Sequence, residues 1–211
     1  VATDLVSVTL TSSPVVGVQV KDHTKVSIDS GFATTPAFIK KDAFARSLAM
    51  VPDLNGDGIP EMVAGAYLDD TGEKAAGAIY VLFMNADGSV VSQQKIANGV
   101  GGLPVTNLEK NDYFGYSVAY IGDIDSDGQP EIAVGAARDE LVGGTKDLGS
   151  VRIMTLAADG TATLRTTITE NAFGFFPTTP MIKKDWFGAA VAGVGDAVSY
   201  THLTLPTKMS V

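Results

Sequence analysis

Apolar and polar residues alternate with a period of two along most of the chain, and turns rich in Gly and Asp separate the alternating segments. No stretch of about twelve residues shows a helical period free of Gly or Pro, so long helices are not expected. The pattern therefore predicts an all-β protein with short strands. Eight strands are expected between residues 47 and 168: Ser47–Val51, Glu61–Ala66, Ala78–Met84, Val90–Ile96, Ser117–Ile121, Glu131–Ala136, Val151–Leu156 and Thr161–Ile168.

An internal repeat organises these strands. Asp42–Asp69 matches Asp112–Asp139 at a constant offset of 70, with 12 identical residues in 28, where chance gives about two. A third copy begins at Asp185. Four short strands in each unit describe one four-stranded antiparallel blade, and radial stacking of such blades gives a β-propeller. The sequence therefore predicts β-propeller blades, in a partial propeller of about three blades.

The repeat also divides the chain. Residues 39–110 and 111–180 are each predicted to form a blade, and residues 181–197 to start a third repeat. Residues 198–211 depart from the pattern and resemble translated adapter sequence, so they are interpreted as a non-native tail. Because two complete units do not close a ring, we expect a fragment of a longer propeller. Residues 1–38 are assigned to the end of a preceding blade, with strands at Val6–Leu10, Val15–Val20 and Lys25–Ile28.

Composition excludes several classes of protein. The 15 basic and 24 acidic residues give a net charge of −9, which argues against a nucleic-acid partner, since such binding depends on basic residues at phosphates. The absence of cysteine excludes disulfides, thiolate metal sites and a cysteine nucleophile. No apolar run is long enough to cross a bilayer, so this segment is not expected to insert into a membrane.

Two acidic nonapeptides carry the candidate chemistry. Each places oxygen-bearing side chains at positions 1, 3 and 5, a Gly at position 6 and a Glu at position 9. Ca²⁺ takes six to eight oxygen ligands, and a tightly curled loop brings alternate side chains onto one point. Gly at position 6 permits the positive φ that such a curl needs. Two Ca²⁺ sites are therefore predicted, with the backbone carbonyl supplying the ligand at position 7: Asp53, Asn55, Asp57, Ile59 and Glu61 in the first loop, and Asp123, Asp125, Asp127, Gln129 and Glu131 in the second.

The two acidic loops have two alternative interpretations. An EF-hand needs a Glu at position 12 between two helices, whereas that position holds Ala64 or Val134 between predicted strands. Acidic turns that close on their own Asx hydrogen bonds and bind no ion stay open as the alternative. Their recurrence at one point of the repeat favours a cation, because clustered carboxylates repel one another. The second loop has four carboxylates against three, so charge count predicts that it binds Ca²⁺ more tightly.

The spacing of Phe114-Gly115, the loop that opens at Gly122-Asp123, and Gly135-Ala136 resembles the FG-GAP repeat of integrin α-subunit β-propellers and their bacterial relatives. The first unit departs from it with Phe44-Ala45, neither Gly-Ala pair is followed by Pro, and both loops end in Glu where the family usually has Asp. The resemblance implies a seven-bladed propeller with structural calcium in hairpin loops on one face and ligands at the opposite rim.

These observations predict a non-enzymatic, calcium-binding module of a secreted or cell-surface protein that mediates adhesion or binds a protein or glycan. The alternative is the propeller framework of a secreted hydrolase or lyase whose active site lies outside this chain. Ser117 in Gly-Tyr-Ser is expected to be structural, since a nucleophile elbow needs a strand–turn–helix and a histidine partner. Asp69-Asp70 and Asp139-Glu140 follow the Gly-Ala pairs; they are interpreted as charged turns at the surface, with rim residues that meet a partner as the alternative.

Overall fold

The computed structural model describes residues 5–12, 18–33, 38–105, 108–139, 147–170 and 181–194, with the backbone alone for residues 5–12 and 18–22. In these ranges no helix is long and apolar enough to span a bilayer. The described part contains ten strands: β1 Leu5–Ser12, β2 Val18–Val26, β3 Phe44–Val51, β4 Glu61–Ala66, β5 Ala78–Met84, β6 Val90–Ala97, β7 Phe114–Gly122, β8 Glu131–Ala136, β9 Ser150–Leu156 and β10 Ala162–Ile168.

The strands form two four-stranded antiparallel sheets and one hairpin. The first sheet has the order β3-β4-β5-β6 and the second β7-β8-β9-β10, so each is a meander in which sequence neighbours pair. We call these sheets the first and second blades. The predicted all-β fold with four-stranded blades is confirmed. The first and last residues of β4, β5 and β8 are also those that the alternation predicts.

The first strand of each blade begins three residues earlier than predicted, at Phe44 and Phe114. A register shift follows each of these residues, where β3 pairs with β4 and β7 with β8. Ala45 and Gly115 have φ of 64° and 82° in these shifts. An extra residue interrupts the two-residue alternation, so the alternation does not predict the first three residues of either strand.

The hairpin β1-β2 corrects the prediction for the first 38 residues. A single strand, Val18–Val26, replaces the two strands predicted at Val15–Val20 and Lys25–Ile28, and residues 13–17 lie outside the described part. The polar residues 21–24 belong to this strand because ladder hydrogen bonds are made by the backbone. The turn after β2 contacts the first blade through the N–H of Val90, which donates to Gly31 at 2.7 Å. The N–H of Ala162 donates to Gly101 at 2.8 Å in the same way, after β6.

Each Phe-Gly pair docks on the preceding blade. Phe114 is fully buried in the core between the two blades, and it pairs with Gly77 in a parallel bridge. Phe187, in the third repeat, makes the equivalent bridge to Gly149. The Ser117 hydroxyl donates to the carbonyl of Gly188 at 2.7 Å, as that of Ser47 does to Gly115 at 3.0 Å. Ser117 is therefore a buried structural residue that ties one repeat to the next, as expected.

Asp69 and Asp139 do close the turns after β4 and β8, where their N–H groups donate to Ala66 and Ala136, but they are buried and not surface charges as expected. Asp69 is only 2% exposed; it lies 2.7 Å from the Lys95 ammonium and accepts a hydrogen bond from Tyr80 at 2.9 Å. Asp139 is buried against Arg152 at 2.8 Å. The two carboxylates are buried because a basic residue of another strand neutralises each of them, and sequence alone does not pair these residues. Glu140 lies outside the described residues.

A second carboxylate lies beside each of these pairs. Asp42 precedes β3 and Asp112 precedes β7, and both are buried. Burial raises the pKa of Asp42 to about 6, and the charge of nearby Asp69 adds to this. Burial likewise raises the pKa of Asp112 to about 7, with a further contribution from Asp139. The interior of each blade therefore holds a carboxyl group that takes up a proton near neutral pH.

Candidate metal centre

Both acidic nonapeptides connect the first two strands of a blade. In the first loop, the Asp53 carboxylate accepts hydrogen bonds from the backbone N–H groups of Gly56, Asp57 and Gly58. These bonds, led by that of Gly58, lower the pKa of Asp53. Gly58 and its counterpart Gly128 have φ of 85° and 87°, as the predicted curl requires. The loop is thus wound around the carboxylate at position 1.

The loops bring together most of the predicted carboxylate ligands. Oxygens of Asp53, Asp57 and Glu61 lie within 4.8 Å of one another. The second loop gathers Asp123, Asp125 and Glu131 within the same limit. In both loops the aspartates are exposed and the glutamate is buried, so each cluster has a solvent-facing side and a closed base.

The other predicted ligands have different surroundings. Asn55 donates from its amide to Asp57 at 2.9 Å. The backbone N–H groups of Ile59 and Gln129 donate to Asp57 and Asp127, at 2.8 Å in both loops. A ligand role for the carbonyls at position 7 stays a prediction. These side-chain-to-backbone bonds are those of Asx turns, so the internal bonding expected for the ion-free alternative is present as well.

The buried glutamates distinguish the two loops. Glu61 and Glu131 are 0% and 1% exposed, and one oxygen of each accepts the N–H of the loop's second residue, Leu54 or Ile124. The other oxygen of Glu131 accepts the Thr155 hydroxyl at 2.9 Å. The other oxygen of Glu61, Oε1, is buried and has no hydrogen-bond partner among the described residues.

Glu61 is therefore a buried carboxylate with one oxygen, Oε1, that no hydrogen bond from the described residues stabilises. Burial raises its pKa, and the charges of Asp53 and Asp57 raise it further, against the lowering effect of the Leu54 N–H. A buried acceptor without a partner costs about 1–3 kcal/mol, and more when it is charged. An all-oxygen donor set with one unpaired oxygen fits a hard dication such as Ca²⁺, which screens the repulsion between the carboxylates.

The second loop has a basic neighbour that sequence analysis missed. Arg165, on β10, donates from Nη2 to the side chains of Asp125 and Asp127, the latter at 2.8 Å, and from Nε to the Thr155 hydroxyl at 2.7 Å. It lies about 40 residues from the loop along the chain. The sequence contained one signal for it, an isolated Arg in the segment TATLRTTI. The corresponding residues 90–94 of the first repeat, VVSQQ, include no basic residue.

A cluster of tyrosine and arginine side chains lies at the opposite end of the strands. Tyr67 follows β4, whereas the first acidic loop precedes this strand. The Tyr67 ring packs edge-on against Tyr113 and Tyr116, with centroids 5.1 Å apart in both cases. Arg46 lies 4.4 Å over the ring of Tyr116, and Arg138 lies 5.0 Å over that of Tyr113. We call these five residues the Tyr–Arg cluster; it joins the two blades, and the sequence pattern did not indicate it.

Comparison with known proteins agrees with this architecture. Residues 44–82 match the family model of the FG-GAP repeat. The chain is 39% identical to human integrin alpha-6 over 136 residues, which is 64% of this chain and 10% of that protein. It is 39% identical to human integrin alpha-7 over 97 residues, or 46% of this chain and 7% of that protein. With mouse integrin alpha-3 the identity is 35% over 95 residues, or 44% of this chain and 8% of that protein.

The chain thus spans about a tenth or less of the length of these curated relatives. Its FG-GAP match covers β3, β4, most of β5 and the first acidic loop. The chain therefore contains an FG-GAP repeat and four-stranded β-propeller blades, and its sequence is similar to that of integrin alpha subunits.

Proposed function

We propose that this chain is a calcium-stabilised β-propeller module of a secreted or cell-surface protein, in which bound calcium has a structural role. The observation that carries the proposal is the unpaired, buried Oε1 of Glu61 beside the Asp53 and Asp57 carboxylates. The recurrence of the same loop at the same point of the next blade supports it.

In the first loop, Asp53, Asn55, Asp57, the Ile59 carbonyl and Glu61 are the proposed ligands. Asp123, Asp125, Asp127, the Gln129 carbonyl and Glu131 are their counterparts in the second. Calcium supplies a divalent charge that offsets the repulsion between these oxygens. Since each loop joins the first two strands of a blade, the ion fixes the turn that holds this strand pair together.

The division of the chain into blades is part of the proposal. Residues 39–110 and 111–180 are proposed as successive blades, residues 1–38 as the end of a preceding blade and residues 181–197 as the start of a third. The equivalent hydrogen bonds from Val90 and Ala162 to the turns after β2 and β6 support this division. So does the equivalent docking of Phe114 and Phe187. The non-native tail predicted for residues 198–211 lies outside the described residues.

The binding role is proposed from the surface that faces away from the acidic loops. Tyr and Arg are enriched at the energetic centres of protein interfaces. The Tyr–Arg cluster presents Arg46 and three partly exposed rings where the two blades meet. We infer that this end of the strands contacts a protein or glycan ligand, and that the chain serves adhesion rather than catalysis. Extracellular calcium modules work at about 10⁻⁴–10⁻³ M Ca²⁺, which agrees with a location outside the cell.

Thermal unfolding with and without calcium tests the metal role. At about 100 Kd of free Ca²⁺ the expected stabilisation is about 2.7 kcal/mol for each site. About 10 mM Ca²⁺ is about 100 Kd at the tight end of the affinity range given above, so the Tm should be several degrees higher at this concentration than in EDTA. Asp53→Asn should remove the part of this rise that the first loop contributes. Glu73→Gln, at an exposed position in the turn after β4 and at the opposite end of that strand from the first loop, makes the same charge change and should leave the rise intact. An equal Tm in calcium and in EDTA would refute the proposed function.

A further inference from the structure

We propose that Arg165 is an internal cation that competes with calcium at the second loop, so that this loop binds calcium more weakly than the first. The inference rests on the proposed function, because it concerns how the two loops differ as calcium sites. It reverses the order of affinities that the number of carboxylates predicts.

The backbone of β10 directs the Arg165 side chain towards the second loop. The pairing of β10 with β9 shifts register between Leu164 and Thr166, and Arg165 is the extra residue at this shift. A bulge of this kind redirects the side chain of the extra residue. From there the Arg165 guanidinium reaches both Asp125 and Asp127, whose carboxylates are two of the proposed ligands.

Thr155 extends the contact to the base of the loop. Its hydroxyl accepts a hydrogen bond from Nε of Arg165 and donates one to Oε1 of Glu131. Three of the proposed ligands, Asp125, Asp127 and Glu131, are therefore engaged, directly or through Thr155, by one basic side chain. Side chains of the protein itself, Arg165 and Thr155, thus stabilise the carboxylates of the second loop.

The first loop lacks this arrangement. Met62 of β4 pairs with Leu82 of β5, which places Phe83 opposite Glu61, where Thr155 lies opposite Glu131 in the second blade. Phe83 has no hydrogen-bonding group, which agrees with the unpaired oxygen of Glu61. Residues 90–94 of β6 contain no basic residue that could take the place of Arg165.

The charges explain why the fourth carboxylate of the second loop does not give it a higher calcium affinity. Its four carboxylates and the Arg165 guanidinium together carry the same formal charge as the three carboxylates of the first loop. Calcium that binds the second loop must in addition displace a guanidinium from two of its ligands. Arg165 is 39% exposed, so solvent screens the pair, and we expect a penalty of about five- to tenfold in affinity.

Calcium titration of the full chain by calorimetry tests the inference. In the background Asp53→Asn/Asp57→Asn, which disables the first loop, only the second loop should bind. Adding Arg165→Gln should tighten its calcium affinity about five- to tenfold, which is about 1.0–1.4 kcal/mol. Arg165→Lys keeps the charge but loses the planar fork, and should give a smaller gain. Lys110→Gln, at an exposed position before β7 and at the opposite end of that strand from the second loop, removes the same charge and should leave the affinity unchanged.

The outcomes separate the two proposals. Calcium binding to the second loop with the same affinity with and without Arg165→Gln overturns the inference and leaves the proposed function standing. No calcium binding to either loop of the unmodified chain overturns the proposed function, and the competition with it. A measurement without metal adds an independent criterion: in EDTA, a double-mutant cycle of Arg165→Gln and Asp127→Asn should show coupling in thermal stability that weakens in high salt. A cycle without coupling also overturns the inference. Far-UV circular dichroism checks that each variant is folded.

Discussion

Gly135→Ala should destabilise the protein by a steric clash between successive repeats. Gly135 lies on β8, and a Cβ built on it would lie 1.9 Å from the carbonyl oxygen of Gly188 and 2.4 Å from the Ser117 hydroxyl. Ordinary van der Waals contact begins at 3.4 Å. The added methyl group therefore requires a relative movement of about 1.5 Å between backbones that the Ser117–Gly188 hydrogen bond holds together.

The expected cost follows from two contributions. Overpacking at a rigid backbone contact costs about 1–3 kcal/mol. Loss of the buried hydrogen bond from Ser117 to Gly188 adds about 1 kcal/mol. The free energy of unfolding should fall by about 2–4 kcal/mol, a large part of the 5–15 kcal/mol typical of a domain. Gly135 is not among the positive-φ residues, so the backbone conformation itself does not penalise alanine.

Urea unfolding in EDTA, followed by circular dichroism, measures this cost. Gly65→Ala should behave alike, because its Cβ would lie 2.0 Å from the carbonyl oxygen of Gly115. Gly122→Ala is the conformational control: Gly122 has φ of 99° and no described atom within 4 Å of the added Cβ, so it should lose only about 1–2 kcal/mol. Where φ is ordinary and space is free, Gly→Ala stabilises by about 0.4–1 kcal/mol. A stability of Gly135→Ala equal to or above that of the parent would refute the steric argument.

Three further predictions concern the buried charges. Because the folded-state pKa of Asp112 is about 7, against 3.8 unfolded, the fold binds this proton more tightly. Its contribution should make the Tm rise as the pH is lowered from 8 to 5, and a Tm–pH slope in Asp112→Asn as steep as that of the parent would contradict this. Arg152→Met leaves Asp139 buried without its cation and should cost about 3–5 kcal/mol in urea unfolding, whereas a loss below 1 kcal/mol would show that the pair is dispensable. Glu61→Gln should reduce the calcium-induced rise in Tm more than Glu131→Gln does, since only Glu61 has an unpaired oxygen; equal losses would remove the distinction between the loops.

The repeat and the strand alternation were sufficient to predict the fold class and the position of most strands. In a four-stranded meander each strand pairs with its neighbours in sequence, and the turn residues between such strands can be recognised from the sequence. The early starts of β3 and β7 were missed because register shifts after Phe44 and Phe114 interrupt the alternation. The length of β2 was missed because its middle is polar although its backbone is paired.

The spacing within each nonapeptide by itself determined that three carboxylates of each loop are neighbours: Asp53, Asp57 and Glu61 in the first, and Asp123, Asp125 and Glu131 in the second. A nine-residue turn curled by glycine cannot separate them widely. Only the tertiary structure decided that Thr155 and Arg165 reach the second loop, and that Lys95 neutralises the buried Asp69. The physical reason is that these partners belong to strands more than 20 residues away, and a strand's register and bulges, which no local pattern encodes, set where its side chains point.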